Sequence, residues 1–156
     1  ECRDLADKYG LTSGRVLGVN LRTLDEDTNR AVVDYVAGLI RDFMKRGFTR
    51  VVFIPFGFGS FADRFFDDDL IIARGLRGKV GDLIIISEEL NPRQVLCLFN
   101  YLDYVIAMRH HAVIFALLAK RPLTVIVYDT KTLELVKSIG KDNIETIDLR
   151  ELIGHV

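Results

Sequence analysis

With 156 residues, 49% of them hydrophobic, and a net charge of -1, the chain is long enough to fill one sizeable core. It is too evenly charged to be drawn to nucleic acid or to an anionic membrane by its field. Its arginines are scattered, the aromatics do not interleave with them as a base-stacking platform requires, and no apolar run reaches bilayer-spanning length. The two cysteines, Cys2 and Cys97, lie far apart. They make neither a disulfide framework nor a metal cluster, and read as a terminal thiol and a buried one in a reducing, cytoplasmic setting. No secretory signal is visible and the chain begins with Glu1. It reads as a single domain over residues 1–156, a piece of a longer protein.

Residues 15–21 form a short apolar run with polar ends, which predicts a buried strand. Between 27 and 46, Val32, Val36, Leu39, Ile40 and Phe43 fall on one helical face, and Gly47 stops the helix. Residues 50–55 are a second strand. An irregular stretch follows over 56–66, rich in phenylalanine and holding Gly57 and Gly59, and it reads as a long loop. The helix predicted over 69–76 begins with Asp67, Asp68 and Asp69, an acidic run that suits the positive end of a helix dipole. Residues 83–87 give a third strand, and Asn91-Pro92 is a cap followed by a first-turn proline, opening a helix to about 101. A strand over 103–107, a helix over 110–120 and a strand over 123–128 come next. Asp129 then caps a helix that runs to 139 and is stopped by Gly140. A sixth strand over 144–147 and a helical turn over 149–153 close the chain.

Strand and helix therefore alternate, and the strands are continuous apolar runs rather than alternating ones. That pattern belongs to a parallel sheet covered on both faces, a doubly wound Rossmann-like sheet of about six strands. Ligands of such sheets sit beyond the carboxyl ends of the strands. Candidate chemistry therefore comes from residues 20–22, the loop from Phe56, and residues 87–89, 108–111 and 128–131.

The strongest constellation is Met108-Arg109-His110-His111, where a strand becomes a helix. A helix N-terminus offers backbone N–H groups to an anion, Arg109 adds a fork that suits phosphate or carboxylate, and two histidines stand ready for proton transfer. Arg22 ends the first strand and could join Arg109 in clamping a small dianion; alone it reads as a solvated surface charge. Tyr128-Asp129-Thr130-Lys131 closes the fifth strand. Asp129 serves there as a helix cap, while Lys131 in a first helical turn opposes the dipole and so suggests an anionic ligand. Gly57-Phe58-Gly59-Ser60 lacks the Gly-Lys-Ser ending of a P-loop, and the first strand is followed by Asn20-Leu21-Arg22-Thr23 without glycine, which speaks against a dinucleotide enzyme. Three carboxylates in a row cannot all turn inward, so the acidic run reads as a solvated helix start rather than a cation site. Glu88 and Glu89 read as a solvated loop.

Residues 104–131, with Met108-Arg109-His110-His111, then Phe115-Ala116, Pro122 and Tyr128-Asp129-Thr130-Lys131, resemble the signature region of the polysaccharide pyruvyl transferase family. There the pattern runs Gly-Met-Arg-Leu-His, a helix with Phe-Ala, Gly-x-Pro and Tyr-Asp-x-Lys. Gly18-Val19-Asn20-Leu21-Arg22 is similar to that family's first-strand segment, and Ile54-Pro55-Phe56 with the Asp67-Asp68 region to its second; the likeness spans about residues 14–140. Three departures stand out. Ala107 occupies a usual glycine position, His110 replaces an aliphatic residue, and Lys120-Arg121 replaces the glycine before Pro122.

The resemblance implies one half of a glycosyltransferase-B-like architecture, the donor-binding C-terminal half, with an N-terminal half-domain elsewhere. It implies transfer of pyruvate from phosphoenolpyruvate to a sugar of a cell-surface polysaccharide as a ketal, with a glycan acceptor and no cofactor or metal. By position Arg22 and Arg109 would hold the donor, with Lys131 and Tyr128 beside them. His111 would fill the family's histidine position, with His110 competing for the proton-transfer role. Replacing Arg109 is then expected to abolish donor binding with little loss of stability. Two other readings remain open: a nucleotide-sugar glycosyltransferase using Glu88 or Glu89 for the ribose, and a diverged, non-catalytic binding domain.

Overall fold

The computed structural model describes residues 1–57, 68–140 and 143–154. Thirteen elements alternate along them: α1 (Cys2–Lys8), β1 (Val16–Asn20), α2 (Glu26–Lys45), β2 (Arg50–Phe53), α3 (Asp69–Val80), β3 (Ile84–Ile85), α4 (Pro92–Phe99), β4 (Tyr104–Ala107), α5 (His110–Leu118), β5 (Leu123–Val127), α6 (Thr130–Ile139), β6 (Ile144–Asp148) and α7 (Leu149–Leu152). The six strands form one sheet in the order β3-β2-β1-β4-β5-β6, and every pairing is parallel. This is the Rossmann-like, doubly wound order expected from the alternation.

Each sheet face carries its own core. Val16, Val52, Val105, Ala107, Leu123, Val125 and Val127 point into a cluster with Leu98 and Phe99 of α4, Ala112, Val113 and Ala116 of α5, and Val136 of α6. Leu17, Val19, Val51, Phe53, Ile106 and Ile126 point into the opposite cluster. There they meet Val32, Val36, Ile40 and Phe43 of α2 and Ile72, Ala73 and Leu76 of α3. Successive strand residues take opposite faces and both faces are covered, so the inner strands are largely apolar, whereas the edge strand β6 carries exposed Glu145 and Thr146. Fully burying each such Leu, Ile or Phe contributes about 1.5–3 kcal/mol.

Local signals set the ends of the helices as expected. The side chain of Asn91 accepts from the Gln94 amide in a capping box with Pro92 at the first helical position. Asp129 Oδ1 accepts from the Thr132 amide at 2.9 Å, and Gly140 ends α6 in the left-handed region at φ 59°. In β1, Gly18 is required by packing. A Cβ there would lie 2.4 Å from Cδ1 of Leu102, a residue with no solvent exposure. Lys120 takes φ 57°, a conformation that disfavours a side chain, at the place where the resembled family carries glycine.

Before β1 lies α1, whose Ala6 is fully buried in the α4–α5 core. One expectation is corrected. Cys2 and Cys97 are not separate thiols. Packing α1 against α4 brings their Cα atoms to 5.7 Å, and they form a disulfide across 95 residues. Among the described residues, no helix is long and apolar enough to cross a membrane. Phe58, Gly59, Ser60 and the rest of the expected loop up to Phe66, with Asp67, lie outside the described residues.

Candidate functional site

The strand order reverses at β1. The chain moves from β1 outward through α2, β2 and α3 to β3, then returns through α4 to place β4 on the other side of β1. The connections to either side of that point lie on opposite sheet faces. The carboxyl ends of β1 and β4 therefore flank the switch point, the place where doubly wound sheets take ligands.

Register brings the two expected arginines to this edge. Asn20 pairs with Ala107 across β1 and β4, and Arg22 and Arg109 each follow two residues later. The Arg22 amide lies 3.4 Å from the Met108 sulfur, against the residue that precedes Arg109. The Arg22 guanidinium reaches on to β5. Its Nη1 donates to the Tyr128 hydroxyl at 3.2 Å, and its centre lies 5.6 Å from the Tyr128 ring centroid. Arg22, Arg109 and Tyr128 thus share one edge although they come from three strands.

Arg109 is the N-cap residue of α5 but makes no side-chain cap, because its guanidinium is turned towards Asp69. Nε donates to Asp69 Oδ1 at 2.9 Å and Oδ2 at 3.0 Å, and Nη2 lies 2.8 Å from Oδ1. The Arg109 side chain is 17% exposed and Asp69 is fully enclosed. Asp69 Oδ2 also accepts from the amides of Phe56 at 2.9 Å and Gly57 at 3.1 Å. Burial pushes the Asp69 carboxyl up from its ordinary range, against the pull of the Arg109 guanidinium and the two amides. Asn20, itself buried, joins the group. Its Oδ1 accepts from the Arg109 amide at 3.0 Å and its Nδ2 donates to the Ile54 carbonyl at 3.0 Å.

Sequence reasoning missed Asp69. The acidic run reads as solvated, and Asp68 does behave as a helix cap, accepting from the Leu70 amide at 3.0 Å. Its neighbour turns inward instead. The available signal was a carboxylate directly before Leu70-Ile71-Ile72, at the start of the helix that follows β2, in a sheet whose edge carries two arginines. The buried pair also corrects the expectation that Arg109 could be removed with little loss of stability, since its removal strands an enclosed carboxylate.

The histidines differ. His110 is half-buried and its Nδ1 lies 3.1 Å from the Thr132 hydroxyl in α6. Burial lowers its pKa, with Lys131 and His111 adding to the effect. His111 is exposed, its ring centroid 6.0 Å from that of His110 and nearly perpendicular to it. Lys131 is exposed in the first turn of α6. Beside Tyr128, a cleft of about 330 Å³ opens at the carboxyl ends of β5 and β6, lined by Tyr128, Asp129, Leu133, Asp148, Leu149 and Arg150 among others. Glu88, one of the two ribose ligands the rival reading offers beside Glu89, is engaged elsewhere: Lys8 Nζ lies 2.8 Å from its carboxylate and Tyr9 donates to the same oxygen. No group of three or more His, Cys, Asp or Glu among the described residues could hold a metal ion.

A family model described as polysaccharide pyruvyl transferase matches residues 10–130. No curated protein matches the chain at a significant level. Among solved structures, the NMR solution structure of ALG13 is similar, with a TM-score of 0.53 and 16% sequence identity, over 92% of this chain and 84% of that one. At that identity the likeness is one of fold.

Proposed function

Since the chain belongs to the polysaccharide pyruvyl transferase family, we propose that it binds phosphoenolpyruvate at the β1–β4 edge and supports transfer of its pyruvyl group to a sugar as a ketal. The observation that carries this reading is the convergence of Arg22, Arg109 and Tyr128 on one sheet edge, beside the N-terminus of α5. A donor bearing a phosphate and a carboxylate needs cationic forks and backbone amides. An edge with two arginines and a helix start supplies both.

The chemistry assigns work to each group. The enol carbon bearing the methylene hydrogens gains a proton, and a sugar hydroxyl attacks the carbon that carries phosphate. The C–O bond to phosphate then breaks, and a second hydroxyl of the same sugar closes the ketal. Of the two hydroxyl protons released, one balances the new methyl group and the other leaves with phosphate. Arg22 and Arg109 stabilise the developing phosphate charge. His111, with His110 beside it, moves the proton; the lowering of the His110 pKa by burial favours its neutral ring. Tyr128 orients Arg22, and Lys131 adds positive charge at the start of α6. The cleft beside Tyr128 gives room for the acceptor sugar.

In this reading the domain is the donor half of a glycosyltransferase-B-like enzyme that acts in the cytoplasm with no cofactor or metal, and a second half-domain completes the acceptor site. The thiol state of Cys2 and Cys97 in protein purified without air tests the location, because disulfides are rare in reducing compartments. The function is tested by calorimetric titration with phosphoenolpyruvate and by phosphate release in the presence of glycan acceptors. A nucleotide-sugar control that binds while phosphoenolpyruvate does not would overturn the reading.

A further inference from the structure

Asp69 has no part in the chemistry just described, yet the Arg109 guanidinium, the Phe56 and Gly57 amides and the Asn20 side chain all converge on its carboxylate. We propose that Asp69 is a positioning residue that holds the Arg109 guanidinium in one orientation at the β1–β4 edge, and so sets where a bound oxyanion sits. This inference rests on the donor-site reading above.

The carboxylate is itself immobilised. Phe56 and Gly57 donate to Oδ2 from the backbone that follows β2, and Asn20 Nδ2 approaches the same oxygen at 3.4 Å. The Asp69 amide donates in turn to the Gly57 carbonyl at 2.8 Å. Arg109 is then fastened at both ends. Its amide donates to Asn20, and its Nε–Nη2 edge lies along Asp69. A planar guanidinium held along one edge has its opposite edge fixed in direction as well.

Orientation of this kind lowers the entropy lost when a ligand binds, because an arginine side chain is otherwise rich in rotamers. Stability alone is a poor explanation for the pair. Buried ion pairs add little over well-packed apolar residues, and this one stands at the strand ends where ligands bind rather than in either core cluster.

The experiment compares wild type, Asp69→Asn, Arg109→Lys and the double variant, each checked for fold by its backbone amide spectrum. Phosphoenolpyruvate and inorganic phosphate are titrated calorimetrically, and the side-chain Nε–H resonance of Arg109 is followed by NMR. Asp69→Asn is expected to weaken phosphoenolpyruvate on the order of 10–100-fold, the scale set by a misplaced binding group, and to remove the exchange-protected Nε–H signal. The double variant should bind no worse than the weaker single variant, since Asp69 acts only through Arg109. Independent, multiplicative losses would overturn the proposal, as would an Asp69→Asn variant that keeps wild-type affinity. Should wild type take up neither ligand, the donor reading falls by itself. The Nε–H resonance then still decides whether Asp69 orients Arg109: its loss in Asp69→Asn supports the orientation, and its persistence overturns it.

Discussion

Replacing Arg109 by alanine removes three close contacts from Asp69, two from Nε and one from Nη2, all between 2.8 and 3.0 Å. The carboxylate left behind is fully enclosed and, among the described residues, keeps the two backbone amides and the distant Asn20 amide. Breaking one side of a buried ion pair costs about 3–5 kcal/mol. Against the 5–15 kcal/mol that holds a typical domain together, the variant should stay folded but unfold at clearly lower urea. The penalty should also depend on pH. Burial already raises the Asp69 pKa in the folded state, and loss of the guanidinium raises it further. A carboxyl whose folded pKa lies above its unfolded value is most favourable to folding at low pH and becomes less so as pH rises through that window. Arg109→Ala should therefore be penalised more at pH 7 than at pH 4. The assay is urea denaturation at both pH values, with the Asp69→Asn/Arg109→Ala double variant alongside. Neutralising the carboxyl should recover part of the loss, giving a coupling of roughly 0.5–3 kcal/mol. A loss under about 1 kcal/mol at pH 7, or strictly additive single losses, would refute the buried pair as described.

Other expectations are simpler to check. Gly18→Ala should lose about 1–3 kcal/mol by denaturation, the usual effect of overpacking, because its Cβ would meet Leu102 at 2.4 Å. Lys120→Gly should gain up to about 1 kcal/mol, since Lys120 sits at φ 57°; a loss would mean that the exposed side chain does something the backbone argument ignores. The His110 ring should titrate by NMR below the ordinary histidine midpoint, owing first to burial and then to Lys131. Between its lowered folded pKa and the ordinary value the unfolded chain binds more protons, so this group makes stability rise with pH across that window. Reducing the Cys2–Cys97 bridge should lower stability by about 2–4 kcal/mol, read as a drop in Tm when a thiol-free reductant is added; an unchanged Tm would show that α1 stays docked without it.

The sequence by itself determined the alternation, the parallel sheet and the short list of edge residues. Those features rest on signals local in the chain: apolar runs, the Asn91 and Asp129 caps, the stop at Gly140. Asp129 was legible as a cap because the amide it binds is three residues away. Only the tertiary structure decided what happens at the edge. Arg22 meets Tyr128 across 106 residues, Arg109 meets Asp69 across 40, and Cys2 meets Cys97 across 95. Each meeting depends on how the crossover helices carry the chain from strand to strand. Local pattern says that Asp69 begins a helix, and the helix start does tolerate it. Which way its carboxylate turns is settled by packing: α3 lies against α2, its first turn meets the ends of β1 and β4, and a cation waits there to make burial of a charge tolerable.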